Sequence, residues 1–211
     1  MSGDMKFGQM VLGLVPWFLF SILTARLGDN QVALAATLSA VAAIAVAFYQ
    51  RGSGLKLIDI AGVVTFVVIA AIGFIGGHDV DESLANFARG GTTLILGAVM
   101  LVSAFTVPFT EQYARESVDK AYWKTPQFRA TNRRISMGWG IALVVMAASH
   151  FVAGALDPIG EAATSGARAV DLVCNWVIPI VLIVGAVKFT QATAAAARAA
   201  GEARAAGLAG P

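Results

Sequence analysis

The chain has 211 residues, 57% of them hydrophobic and 13% charged, with a formal net charge of +2 and a mean hydropathy of +0.73. Soluble domains carry about a quarter charged residues, so this chain cannot clothe an ordinary water-exposed surface. That excludes a soluble enzyme, a disordered tail and a nucleic-acid binder with a basic face. One cysteine excludes a disulfide framework and a multi-cysteine metal site.

A bilayer core of about 30 Å needs about 20 apolar residues of helix. Six stretches qualify, at 8–25, 32–49, 57–74, 92–107, 135–156 and 172–190. The apolar runs are continuous, as in Val63-Val64-Thr65-Phe66-Val67-Val68-Ile69-Ala70. A membrane barrel would alternate polar and apolar positions. The predicted fold class is therefore all-α, a polytopic bundle of six transmembrane helices over 1–190, followed by an Ala-rich tail over 191–211.

Lys6 and the run ending at Leu23-Thr24-Ala25 resemble a signal peptide, but the small-x-small cleavage pattern is missing, so a retained anchor is expected. Pro16 and Pro179 are expected to kink the first and sixth spans. Small residues from Ala33 to Ala47 suit close helix packing or a homo-oligomer face. Asp59 sits near the start of the third span and Asp171 at the start of the sixth, where a carboxylate meets the positive end of a helix. Gly73, Gly76 and Gly77 read as packing and turn glycines.

The link between the third and fourth spans is expected to hold a short surface helix, with Leu84 and Phe87 facing the membrane, and then a turn at Gly90-Gly91 capped by Thr92-Thr93. After the fourth span, Pro108 breaks the helix and Thr110 can cap a new one. The segment 108–134 is the one long polar stretch, amphipathic and basic, with Tyr122-Trp123 as an aromatic anchor. Thr125-Pro126 reads as an N-cap followed by proline at the first helical position. The helix starting there should run about 45 Å at 1.5 Å per residue and project beyond the membrane. The Ala-rich tail is helix-prone and should extend the sixth span.

With six spans and both termini inside, twelve of the fifteen Lys and Arg residues fall on the inner side, as cytoplasmic loops require. Asp29, Asp79, Asp81, Glu82, Asp157, Glu161 and Asp171 fall on the outer side. Arg115, Tyr122, Trp123, Arg129, Arg133 and Arg134 form a candidate surface for anionic lipid or a partner protein. Within the membrane, His150 and Asn175 are the candidate polar site, because two antiparallel spans place them at similar depth. The pair would serve a permease, or would be one packing hydrogen bond between helices. His78 lies between spans, so it does not supply a second haem ligand, and no zinc set, P-loop or dinucleotide motif points to a cofactor. A membrane enzyme acting on lipid or quinone would need an acid–base cluster at membrane depth, and the spans show none.

Leu14-Val15-Pro16, the Ala-rich second span ending in Tyr49-Gln50-Arg51, the basic link at Lys56, Pro108, Tyr122-Trp123, Pro126, Phe128, Asn132 and Trp139 give the chain a likeness across residues 10–190. In these features it resembles the intracellular septation protein A family of bacterial inner-membrane proteins. It departs from that pattern in the charge of the 109–134 stretch and in His150, where the pattern suggests Asn. The resemblance implies a non-enzymatic role in cell division or envelope maintenance, with division or envelope proteins as partners and no nucleic acid. It transfers no catalytic residue.

Overall fold

The computed structural model describes residues 4–27, 31–156 and 165–208. Asp29, Asp157 and Glu161, assigned above to outer loops, lie outside them. Seven helices follow in order: α1 (Asp4–Leu27), α2 (Val32–Gln50), α3 (Leu57–Phe105), α4 (Phe109–Ala114), α5 (Pro126–Leu156), α6 (Ser165–Leu172) and α7 (Ile178–Leu208). No strand occurs among the described residues.

Six stretches are long and apolar enough to cross a bilayer: Gly8–Leu27, Val32–Gln50, Leu57–Asp81, Phe87–Phe105, Pro126–Leu156 and Ala169–Arg204. Large apolar side chains such as Ile75, Phe48, Val102 and Val181 are exposed around them. In water such a girdle would be an aggregation surface; in lipid it is solvated. The chain is an integral, multi-pass membrane protein.

The helices alternate in direction. Gly13 lies against Asp59 and Gly62 against Trp17, so α1 and the first arm of α3 run parallel. Gln50, at the end of α2, reaches Asp59, whereas Ala33, at its start, reaches Asp81, so α2 runs against that arm. The α3 backbone breaks once, at Gly77, with φ 73° and ψ −166°. This is a left-handed conformation that glycine adopts readily, and it reverses the chain with almost no loop. The second arm pairs antiparallel with α5, because Gly97 meets Leu143, Gly140 meets Leu101 and Gly90 meets Phe151. Finally α5 and α7 run antiparallel, with Trp139 Nε1 donating to Thr190 at 2.9 Å. The start of α1 and the end of α7 therefore lie at one end of the bundle, the end that carries Lys56, α4 and the start of α5. We call it the basic end.

The core lies between α1, α2, α3 and α5. Phe20, Phe66, Ile58, Met100 and Phe109 are fully buried, and the Phe66 ring sits 4.9 Å from Trp17 and 5.3 Å from Phe20.

Several local expectations are corrected. No turn interrupts 78–105: the chain stays helical through Gly90-Gly91. Gly90 tucks under the Phe151 ring, and the Thr92 and Thr93 hydroxyls donate back to the Arg89 carbonyl instead of capping a new helix. Leu84 packs toward the core, while Phe87 is half-exposed and meets Phe151. Thr110 is no cap either, since Pro108 holds that place; its hydroxyl donates to the Asn132 carbonyl at 2.9 Å. Asp171 closes α6 rather than opening it, because a single π turn at Val173–Val177 links α6 to α7 as one rod. The start of α5 follows the expectation: Thr125 Oγ1 accepts from the Phe128 amide at 3.3 Å. So does the tail, which continues α7 to Leu208. Gln127 ties that tail to α5 by donating to the Ala197 carbonyl and accepting from Arg204.

Candidate functional site

Three polar assemblies interrupt the apolar bundle. The first is at the basic end, where α4 folds back against α1, the start of α3 and α5. Lys56, Asp59, Glu111 and Tyr113 are all buried there, at 3%, 2%, 3% and 5% exposure. Ionisable groups at this depth are costly unless paired and hydrogen-bonded. Lys56 pairs with Glu116, and its ammonium also lies 5.4 Å from the Tyr113 ring centre. Arg115 pairs with Glu111 at 2.5 Å. Gln9, with its amide nitrogen toward the carboxylate, donates to Glu116 from α1. Gln112 accepts from the Leu57 amide at 2.8 Å, which fastens α4 to the first turn of α3.

Asp59 is the third residue of α3, after the Lys56 N-cap. It accepts from the Lys56 backbone amide, as in a capping box, and from the Gln50 side chain at 3.4 Å. A Cβ on Gly13 would stand 3.0 Å from Asp59 Oδ1 and 3.3 Å from the Tyr113 hydroxyl. Both oxygens thus converge where α1 carries no side chain. The Tyr113 hydroxyl is buried without a hydrogen-bond partner. Burial pushes this phenol well above its ordinary pKa, and the nearby Asp59 and Glu116 carboxylates push it further.

Sequence reasoning placed Asp59 at a helix start and Lys56 in a basic link, and found no ionisable cluster. No shared face marked them: Glu111 and Tyr113 stand two residues apart, and Glu116 lies past the end of α4. Their burial follows from the docking of α4, which local periodicity does not report.

The second assembly is the candidate intramembrane pair. His150 Nδ1 lies 2.6 Å from Asn175 Oδ1, so the two residues are brought together. Asn175 in turn donates to Asp171 at 2.6 Å, and Ser149 donates to the Cys174 carbonyl at 2.9 Å. The π turn makes this register: the Ile178 amide bonds back to the Val173 carbonyl, five residues earlier. It rotates Cys174 and Asn175 toward α5 just before Pro179. Arg89 borders the same end and donates to the Ser21 carbonyl at 3.2 Å.

The third is the aromatic-basic surface, which the structure divides. Arg115 is exposed but tied to the buried Glu111, and lies 5.2 Å from the Trp123 ring centre. Trp123 itself turns back, its indole donating to the Val118 carbonyl at 2.8 Å, whereas Tyr122 is exposed. Arg129, Arg133 and Arg134 are exposed on the first turns of α5. The Arg133 guanidinium is 5.0 Å from the Phe105 ring centre and that of Arg134 is 5.7 Å from Phe189.

Two clefts are open at the surface. One, of about 320 Å³, surrounds Gly73, Gly77, His78 and Asp81 at the far end from the basic cluster. The other, of about 410 Å³, is an apolar dent on α3 formed by Val68, Ile72, Ile75 and Val80. No group of three His, Cys, Asp or Glu residues could hold a metal ion among the described residues. Comparison of the chain with family models, curated proteins and solved structures finds no match.

Proposed function

We propose that the chain is a non-enzymatic scaffold of the bacterial cytoplasmic membrane, with both termini cytosolic, that serves cell division or envelope maintenance. It docks through the basic end. The observation that carries this reading is the seating of Arg133 and Arg134 on Phe105 and Phe189, with Arg129 one turn before Arg133. An arginine lying against a ring at the membrane rim keeps its aliphatic stem in lipid and its charge at headgroup depth. Each such charge near an anionic leaflet contributes about 1 kcal/mol of attraction. The twelve Lys and Arg residues assigned to this end support its cytosolic placement. The likeness to the septation protein A family supports the cellular role.

The test replaces Arg129, Arg133 and Arg134 together with Ala in the full chain. Lipid retention is read by native mass spectrometry after extraction from membranes of mixed anionic and zwitterionic lipid, and partner capture by pull-down. Several-fold lower anionic-lipid retention and weaker capture, with unchanged thermal stability, are expected. Equal retention and capture would remove the named surface.

The hydrogen-bonded run His150–Asn175–Asp171 favours a second reading, a small-molecule permease with its site near the outer ends of the fifth and sixth spans. Saturable, pH-sensitive uptake into proteoliposomes that is lost in His150→Ala would establish it. A metabolite screen with neither flux nor thermal shift would count against it.

A further inference from the structure

The cluster at the basic end is not explained by docking, and its charges do not balance. Among the described side chains, Asp59, Glu111 and Glu116 supply three carboxylates, whereas Lys56 and Arg115 supply two cations. Asp59 and Glu111 are buried, Glu116 is partly so and Arg115 is exposed, so the buried side of the group is short of positive charge, and a further positive charge would relieve it.

An independent observation marks where it belongs. The Tyr113 hydroxyl, on a residue 5% exposed, has no hydrogen-bond partner. It converges with Asp59 Oδ1 above Gly13, where a methyl group would stand 3.0 Å and 3.3 Å from the two oxygens. Leaving a buried hydroxyl unpaired costs about 1–3 kcal/mol. Two oxygens are too few for an alkali or alkaline-earth ion, which takes about six ligands or more. They suffice for a proton.

We propose that Asp59 and Tyr113 form a proton-binding site at the basic end. In the loaded state the Asp59 carboxyl is neutral and shares a hydrogen bond with the Tyr113 hydroxyl. In the unloaded state the proton has passed to water and Tyr113 donates to the carboxylate. No other bond is made or broken.

The groups that face Asp59 are few. Among the described side chains, α1 presents Gln9, Gly13 and Trp17, none of which titrates, and α2 presents Gln50. Its own helix gives Lys56, and α4 gives Glu111, Tyr113 and Glu116, with Arg115 behind Glu111. Arg129, Arg133 and Arg134 of α5 are exposed and turned outward. Because Tyr113 belongs to α4, the proton sits at the joint between α4 and the bundle, so loading and the seating of α4 are linked. This inference does not depend on what the arginine surface binds.

The test uses the full chain in lipid nanodiscs, with aspartate carrying a ¹³C carboxyl, and infrared difference spectra taken between about pH 5 and about pH 8, where buried carboxyls commonly titrate. A protonated-carboxyl C=O band that shifts with the label, vanishes in Asp59→Asn and changes frequency in Tyr113→Phe is the expected result. Tyr113→Phe leaves the carboxyl in place and keeps the test open if Asp59→Asn does not fold. A spectrum without the band, or a band unaltered in both variants, overturns the proposal. Loss of the band on adding sodium at constant pH would assign the charge to a metal cation and overturn it equally.

Discussion

Asp81 holds the beginning of a helix that lies 48 residues before it: its carboxylate accepts from the Ala33 amide at 2.8 Å. The other carboxylate oxygen accepts from Val32 at 3.1 Å. The first amides of a helix have no partner within it, and α2 has no side-chain cap of its own at Gln31. The break at Gly77 brings Asp81 back over α2 to fill that role.

Asp81→Ala should therefore lower stability by about 1–2 kcal/mol, the usual scale for losing a cap. Gly73→Ala should act at the same joint, since its methyl would stand 2.7 Å from Ala33 Cβ and 2.8 Å from Asp81 Oδ1. Thermal unfolding in detergent, read by helical circular dichroism, checks both. An Asp81→Ala protein that melts with the wild type would show that the cap carries no stability.

The crossing of α3 and α5 depends on two glycines. A Cβ on Gly140 would lie 2.5 Å from Leu101 Cγ and 3.0 Å from the Leu101 backbone nitrogen; one on Gly97 would lie 3.2 Å from the Val144 nitrogen. Close backbone approach of this kind drives helix association in lipid. Gly140→Val should separate the helices and cost about 1–3 kcal/mol. Gly201→Ala, where the added methyl meets open space within α7, serves as the control and should not lower the melting temperature, since Ala favours a helix.

The His150–Asn175 contact can be weighed without a ligand. Interhelical hydrogen bonds in membranes average about 0.6 kcal/mol and reach about 1.7. A double-mutant cycle with His150→Ala and Asn175→Ala should give a coupling within that range. A coupling of zero would mean that the 2.6 Å contact does not stabilise the fold.

Tyr113 predicts an alkaline limit. Burial raises the pKa of the folded phenol, so the folded state holds this proton more tightly than the unfolded chain does. The contribution is present in full below about pH 10, the ordinary phenol value, and is lost as pH rises beyond it. The ultraviolet difference between wild type and Tyr113→Phe should show no phenolate just above about pH 10, and should show it only once the protein unfolds. Phenolate appearing while the helices are intact would contradict the burial of this ring.

The spans were legible because membrane crossing is a local requirement: about 20 consecutive apolar residues satisfy it, whatever lies around them. The start of α5 was legible for a similar reason, since Thr125 and Pro126 act within one turn. Residues 81–93 misled because glycines and threonines usually mark turns. Here the Phe151 ring covers Gly90, and the Thr92 and Thr93 hydroxyls bond within the helix, so tertiary contact overrides the local preference. His150 and Asn175 could be paired from depth alone, but the π turn that completes their geometry left no mark in the residue pattern. The charged cluster stayed hidden because Lys56 and Glu116 are 60 residues apart, and six-residue α4 gives too little periodicity to show which side it buries.

The position of α7 bears on how the chain is built. Its contacts run chiefly along α5, through Gly138 and Phe189, Trp139 and Thr190, and Gln127 and Ala197. Phe20, Phe66, Met100 and Phe109 belong to earlier helices. During synthesis the central aromatic layer can thus close before the final rod leaves the translocon, which then only needs to slide against one finished flank. Ribosome-arrested chains ending before Ser165 should already resist protease at α1 to α5.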